Sequence, residues 1–127
     1  MDPVSRSPSV LLVDDHADAR LALELVLQSE GWNVTGAETA DQALGQLRDG
    51  LVPDVVLLDL GLPGMPVRIF RDAMRADDRL ATIPVVVLSG DGWVREKAEL
   101  LGASEWLQKP VEIERLLEVV ARYASPS

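Results

Sequence analysis

Short apolar runs recur along the chain, and each of them ends on polar residues. The clearest runs are residues 10–13, 55–58 and 85–88, and a weaker one covers residues 105–108. They are rich in Val and Leu and short, which is typical of buried parallel strands. Most stretches between them place apolar residues three and four positions apart, as one face of a helix does. The pattern therefore predicts strands that alternate with helices.

Turn and capping residues set approximate bounds for these elements. Gly31 and Gly102 are expected to end helices, and Thr39 with Gln42 forms a capping box. The predicted strands cover residues 9–13, 32–37, 55–59, 85–88 and 105–108. The predicted helices cover residues 17–29, 40–48, 67–76, 93–101 and a last stretch that ends near 123. Such alternation implies an α/β fold with a doubly wound five-stranded parallel sheet and helices on both faces.

Length and composition narrow the class of protein. The 127 residues suit one domain, expected over residues 9–123 between a disordered arm (1–8) and a tail (124–127). The absence of cysteine excludes disulfides and thiolate metal sites, and no apolar run is long enough to span a membrane. The net charge of −9 argues against nucleic-acid binding, which needs clustered Lys and Arg. We therefore expect a cytoplasmic domain without membrane or nucleic-acid partners.

The residues that follow the apolar runs carry the candidate chemistry. They are Asp14, Asp15, Asp59, Ser89 and Lys109. Ligands bind outside the carboxyl ends of parallel strands, so these side chains should meet at one edge of the sheet. Three carboxylates repel one another unless a cation lies between them, and hard oxygen ligands suit Mg²⁺. A carboxylate can also attack phosphorus and form an acyl phosphate, which the ammonium and the hydroxyl would stabilise.

Four motifs together resemble the receiver domain of response regulators, the CheY-like family of two-component signalling. They are VLLVDD at 10–15, VVLLDLGLPGM at 55–65, IPVVVLSG at 83–90 and GASEWLQKP at 102–110. The resemblance covers nearly the whole chain. It implies the flavodoxin-like strand order 2-1-3-4-5.

The resemblance also implies roles for individual residues. Asp59 matches the phosphoacceptor. Asp14 and Asp15 match the acidic pair that binds Mg²⁺ or Mn²⁺ together with Asp59, and the Gly61 backbone carbonyl would complete the coordination. Lys109 matches the lysine that contacts the phosphoryl group.

Two further positions match the family's switch residues. Ser89 corresponds to the switch hydroxyl, and Trp106 corresponds to the switch aromatic. The implied mechanism is a population shift in which Ser89 moves toward the phosphoryl group and Trp106 repacks into the vacated space. A second interpretation makes Trp106 an ordinary packing aromatic.

The implied function is a phosphorylatable switch, not a turnover enzyme, that catalyses only its own phosphorylation and dephosphorylation. The phosphoryl donor would be a histidine kinase or histidine phosphotransferase, and the downstream effector protein is unknown. We expect a stand-alone receiver, or one excised from a larger protein, that is a monomer or a weak homodimer. The alternative is a pseudo-receiver, a phosphorylation-independent protein-binding module.

The chain departs from the family pattern after Met65, where Pro66 and Val67 replace an acidic residue and a glycine. Because valine adopts positive φ only with strain, we expect the loop to take another path, with Pro66 in the first turn of the helix. Asp91 is open to two interpretations, as a group that orients an attacking water or as a solvated carboxylate.

Two other residues near the site also have two interpretations each. His16 either carries a phosphoryl group or, more plainly, is an exposed residue at the start of the first helix. Trp93 is either an exposed partner contact or a residue packed on its own loop.

Overall fold

Five strands and five helices alternate along residues 7–124, the part of the chain that the computed structural model describes. The strands are β1 (Ser9–Val13), β2 (Asn33–Ala37), β3 (Val55–Asp59), β4 (Val85–Ser89) and β5 (Glu105–Gln108). The helices are α1 (Ala17–Ser29), α2 (Ala40–Arg48), α3 (Val67–Arg75), α4 (Val94–Leu101) and α5 (Ile113–Ala121). Most of the predicted arm (1–8) and tail (124–127) lies outside the described residues.

All strand pairs are parallel, and the sheet order is β2-β1-β3-β4-β5. This order confirms the predicted doubly wound, flavodoxin-like fold. The chain reverses its direction of winding at β1, so the carboxyl ends of β1 and β3 lie side by side with a crevice above them. Any side chains that follow these two strands are therefore neighbours.

Alternate strand residues feed two separate cores, one on each face of the sheet. Leu11, Val56 and Val87 pack with residues of α2, α3 and α4. Leu12 and Leu57 pack with residues of α1 and α5. β3 and β4 are buried along their whole length, since both of their faces are covered. Within residues 7–124, no helix is long and apolar enough to cross a membrane.

The local signals for helix ends hold with small shifts. The Thr39 hydroxyl accepts a hydrogen bond from the Gln42 amide at 3.0 Å, as the capping box predicts, and the Gln42 side chain accepts one from the Glu38 amide. The predicted place of Pro66 within the first turn is wrong. Its φ of −58° and ψ of 138° make it the N-cap, because its extended ψ keeps it outside the helix while its carbonyl accepts from the Ile69 amide.

Five predicted element ends shift by one or two residues, and one of them is the end of β4, which also includes Ser89. Trp32 is not part of β2, because its amide donates to Leu27 and closes the end of α1. Trp93 and Ala76 cap α4 and α3 instead of extending them. α5 ends at Ala121, before Tyr123.

Two arginines of α3 behave differently. Arg71 is buried, and its Nε and Nη1 atoms have no hydrogen-bond partner in the described part of the chain. Burial and the neighbouring charge of Arg75 lower the pKa of Arg71. Arg75 lies one turn further along and donates to the Leu101 carbonyl at the end of α4. Gly102 follows there with a φ of +66°, a left-handed conformation that favours glycine.

Candidate functional site

The end of β1 delivers a fully buried carboxylate to the crevice. The Asp14 amide donates to the Ala37 carbonyl of β2, so the backbone still belongs to the sheet at this point. The Asp14 side chain turns back and its Oδ1 accepts a hydrogen bond from the His16 amide at 2.9 Å. This short-range turn fixes the carboxylate at the entrance of α1, where a helix N-terminus favours negative charge.

The end of β3 supplies the second buried carboxylate, and Lys109 lies between the two. Asp59 is 4% exposed, and its Oδ1 accepts a hydrogen bond from the Gly61 amide at 2.8 Å. The Lys109 ammonium donates to Asp59 Oδ2 at 2.8 Å and to Asp14 Oδ2 at 3.2 Å. Three residues from distant parts of the chain therefore form one charge-assisted network.

This network shifts the pKa of two of its members toward their charged forms. Burial raises the pKa of Asp14, but the His16 amide and the charge of Lys109 outweigh burial and bring the pKa below 3.8. Burial lowers the pKa of Lys109, but the hydrogen bond and charge of Asp59, then of Asp14, raise it above 10.5.

The directions of these pKa shifts define the pH range in which Asp14 and Lys109 stabilise the fold. The contribution of Asp14 is present above pH 3.8 and disappears as the pH falls through the lowered pKa. The contribution of Lys109 is present below pH 10.5 and disappears as the pH rises through the raised pKa. Asp14 and Lys109 are therefore both charged at neutral pH.

Asp15 and His16 complete the cluster at its solvent side. One ligand atom from each of Asp14, Asp15, His16 and Asp59 lies within 4.8 Å of the others. Asp15 Oδ1 is buried and has no hydrogen-bond partner among residues 7–124. A buried carboxylate oxygen without a donor is costly, and a cation would satisfy it. This orphaned oxygen and the oxygen-rich donor set fit a hard divalent ion such as Mg²⁺.

The end of β4 places a hydroxyl beside this cluster. Ser89 is 6% exposed, and its Oγ accepts a hydrogen bond from the Asp91 amide at 3.0 Å. The Lys109 amide donates to the Ser89 carbonyl, so β4 and β5 deliver their end residues together.

Asp91 is occupied by neighbours on its own loop. Its carboxylate accepts hydrogen bonds from the Lys97 ammonium at 2.6 Å and from the Trp93 amide at 2.7 Å. Both contacts, Lys97 first, lower the pKa of Asp91. A carboxylate held in this way is a weaker proton acceptor, so the structure favours a role in holding the loop before α4 over activation of water.

Trp106 lies on β5, an edge strand of the sheet. It is in register with Val87, and Gln108 is in register with Ser89. Since side chains alternate along strands, Trp106 and Ser89 leave the sheet on the same face. The Trp106 side chain is 40% exposed and borders a groove of about 620 Å³ that continues to Arg115 of α5. It is therefore not a buried packing aromatic, and Trp93, at 67% exposure, is not one either.

Most of the predicted site residues meet as expected. Asp14, Asp15, Asp59 and Lys109 converge, and Ser89 lies beside them. Sequence reasoning did not foresee that the His16 ring, although exposed, would lie against the acidic pair, with Nδ1 3.2 Å from Asp15 Oδ1. The sequence signal for this contact is the position of His16 directly after two aspartates.

Comparison with known proteins links this arrangement to one family. The protein-family model for the response regulator receiver domain matches residues 10–121. The sensor protein GacS of Pseudomonas syringae pv. syringae is 32% identical over 124 residues, which cover 94% of this chain and 14% of that protein. The virulence transcriptional regulatory protein PhoP of Salmonella typhimurium is 39% identical over 116 residues, which cover 89% of this chain and 49% of that protein. The chain thus spans at most about half the length of these two relatives.

Solved structures show the same likeness over nearly their full length. A response regulator receiver protein from Pseudomonas putida is 35% identical, with a TM-score of 0.82 over 94% of this chain and 99% of that one. The chemotaxis response regulator CheY4 of Vibrio cholerae is 28% identical, with a TM-score of 0.84 over 92% of this chain and 98% of that one.

Proposed function

The chain belongs to the response regulator receiver domain family, and on this premise we propose that it accepts a phosphoryl group on Asp59. Receiver domains are signalling switches of two-component systems, not turnover enzymes, and they bind Mg²⁺ through an acidic pocket. The proposal assigns these properties to individual residues of this chain.

One observation carries the assignment. The Lys109 ammonium contacts both Asp59 Oδ2 and Asp14 Oδ2, although these residues are 50 and 95 positions away from it in sequence. A purely structural ion pair would need one carboxylate. A lysine shared by two buried carboxylates beside an orphaned Asp15 oxygen supports a site built for an added anion and a cation.

The chemistry follows from the positions of these groups. An Asp59 carboxylate oxygen forms a bond to phosphorus, while the bond between phosphorus and the donor histidine nitrogen breaks and its electron pair stays on that nitrogen. Negative charge on the phosphoryl oxygens is received by the Lys109 ammonium and the Ser89 hydroxyl. Lys109 then exchanges its contact with Asp59 Oδ2 for one with the phosphoryl group.

The metal site uses the remaining oxygen ligands. Asp14, Asp15 and Asp59, with the Gly61 carbonyl, would hold Mg²⁺ or Mn²⁺. When bound, the ion supplies positive charge that offsets the charge on the phosphoryl oxygens.

The proposal also includes a switch through Ser89 and Trp106. To reach the phosphoryl group, the Ser89 hydroxyl must leave its contact with the Asp91 amide. The Trp106 side chain leaves the sheet on the same face as Ser89, and Trp106 is in register with Val87, two residues before Ser89. Movement at Ser89 therefore opens space toward the indole. We expect Trp106 to become less exposed than its present 40%.

The partners belong to the proposal as well. Receiver domains interact with histidine kinases or histidine phosphotransferases. For this chain we propose one of these as the phosphoryl donor and a protein of unknown identity as the effector.

Intact-mass measurement tests the acceptor. The protein is incubated with acetyl phosphate and Mg²⁺, as wild type, as Asp59→Asn and as Asp78→Asn, a variant of an exposed aspartate outside the cluster. We expect one added phosphoryl group in the wild type and in Asp78→Asn, and none in Asp59→Asn. EDTA should prevent the adduct in every sample.

The opposite results have a clear meaning. An adduct that persists in Asp59→Asn would move the acceptor to another residue. A wild type that binds no Mg²⁺ and forms no adduct would favour the phosphorylation-independent binding module.

The switch is tested separately by tryptophan fluorescence. The fluorescence change on adding beryllofluoride and Mg²⁺ should disappear in Trp106→Phe and shrink in Ser89→Ala.

A further inference from the structure

His16 occupies a defined place at the rim of the acidic cluster. Its amide donates to Asp14 Oδ1, and its φ of −88° and ψ of 106° make it the N-cap of α1. The imidazole makes no capping hydrogen bond to the helix. The side chain is 72% exposed, so the ring lies on the solvent side of the crevice, where an ion would enter.

The ring nitrogen faces the carboxylates rather than solvent alone. Nδ1 lies 3.4 Å from Asp14 Oδ1 and 3.2 Å from Asp15 Oδ1. It belongs to the set of four ligand atoms that all lie within 4.8 Å of one another. Asp15 Oδ1, the carboxylate oxygen nearest to it, has no hydrogen-bond partner within the described residues.

We propose that His16 is an additional ligand of the metal site and that its nitrogen shifts the ion preference of the site toward Ni²⁺ and Cu²⁺. This inference rests on the proposed metal-binding function of the cluster. Carboxylates and carbonyls suit Mg²⁺ and Mn²⁺, whereas imidazole suits nickel, copper and zinc. An imidazole beside three carboxylates therefore adds affinity for Ni²⁺ and Cu²⁺ and adds little for Mg²⁺.

The composition of the chain makes the inference easy to test. His16 is the one histidine of the sequence, and there is no cysteine. Any imidazole nitrogen bound to a metal in the untagged protein must therefore come from His16. Pulsed EPR of the Cu²⁺-loaded wild type detects such a nitrogen directly, without reference to phosphorylation.

Calorimetric titration with Ni²⁺ and with Mg²⁺ supplies the second readout. We expect His16→Gln to lower the affinity for Ni²⁺ by at least roughly 10- to 100-fold, the loss in metal affinity that follows removal of a residue supporting a metal site. Mg²⁺ affinity should change by less than about threefold, because Mg²⁺ prefers oxygen ligands. The control is His16→Gln combined with Gln28→His, which returns a histidine to an exposed position of α1 far along the helix and should not restore Ni²⁺ binding.

The outcomes separate this inference from the proposed function. Equal Ni²⁺ affinity in the wild type and His16→Gln, or a Cu²⁺ spectrum without an imidazole nitrogen, would overturn the role of His16 while leaving the Mg²⁺ site intact. Loss of both Mg²⁺ binding and the phosphoryl adduct in the wild type would instead overturn the proposed function. Restoration by Gln28→His would show that any surface histidine suffices.

Discussion

Neutralising Asp15 should stabilise the metal-free protein and remove its response to Mg²⁺. Asp15 differs from the other two carboxylates because Lys109 bonds Asp14 and Asp59 but not Asp15. Of the three carboxylates, Asp15 is therefore the one whose charge Lys109 compensates least. Asp15→Asn keeps the size of the side chain and leaves the contacts of Lys109 in place.

The distances in the cluster set the size of the effect. One oxygen of Asp15 lies within 4.8 Å of an oxygen of Asp14 and of Asp59. Two unit charges at that separation repel by about 0.9 kcal/mol in water and by about 3.5 kcal/mol at an effective dielectric constant of 20. The side chain is 30% exposed, and Lys109 offsets part of the repulsion, so we expect the free energy of unfolding to rise by about 1–2 kcal/mol.

Urea unfolding followed by circular dichroism measures this change. In EDTA, Asp15→Asn should be more stable than the wild type, whereas Asp78→Asn, at an exposed position, should stay within about 0.5 kcal/mol. Saturating Mg²⁺ should stabilise the wild type by about 2.7 kcal/mol at 100 times its dissociation constant and leave Asp15→Asn nearly unchanged. An Asp15→Asn protein that is less stable than the wild type in EDTA would refute the idea that uncompensated repulsion is stored here.

The remaining predictions concern groups outside the cluster. Burial and the hydrogen bond to Glu105 raise the pKa of Tyr123, the one tyrosine, to about 12. The contribution of Tyr123 to stability is thus present below pH 10 and lost as the pH rises through the raised pKa. Ultraviolet titration should show the raised pKa, and Glu105→Gln should lower the midpoint of the tyrosine titration. Arg71→Met should raise the free energy of unfolding by about 1–2 kcal/mol because it removes buried donors without partners. Arg75→Met should lower it by about 1 kcal/mol because it removes the hydrogen bond to the Leu101 carbonyl. Equal effects of the two variants in urea unfolding would contradict this contrast. Gly102→Ala should cost about 1–2 kcal/mol in the same assay, since its φ is +66°, and an unchanged midpoint would show that the turn relaxes.

The sequence predicted the fold well because its local and long-range signals agree. The apolar runs are short enough to be strands, and the turn residues between them are chemically distinctive. Thr39 with Gln42 illustrates this, since a side-chain hydrogen bond marks the helix start in both sequence and structure. The misplaced end residues, such as Trp32 and Trp93, lie where hydrogen bonds at a helix end or helix start decide the boundary, and hydrophobicity does not encode those bonds.

The candidate site was predictable to the extent that strand ends determine it. Asp14, Asp59 and Lys109 converge because parallel strands deliver their end residues to the same edge. The exposure of Trp106 and the burial of Arg71 were not predictable, since both depend on how helices pack around an individual side chain. The contact between His16 and Asp15 depends on the backbone angles of a short turn, which no periodicity reveals.

The complete burial of β3 and β4 has a consequence for how such a domain can diversify. Asp59 and Ser89 are the last residues of these two strands, whose amides should exchange with solvent only when the whole domain opens. The loops and helix surfaces around the site are attached to this frame but do not position it. Substitutions around Pro66 or Trp93 can therefore accumulate while the reactive groups stay in place.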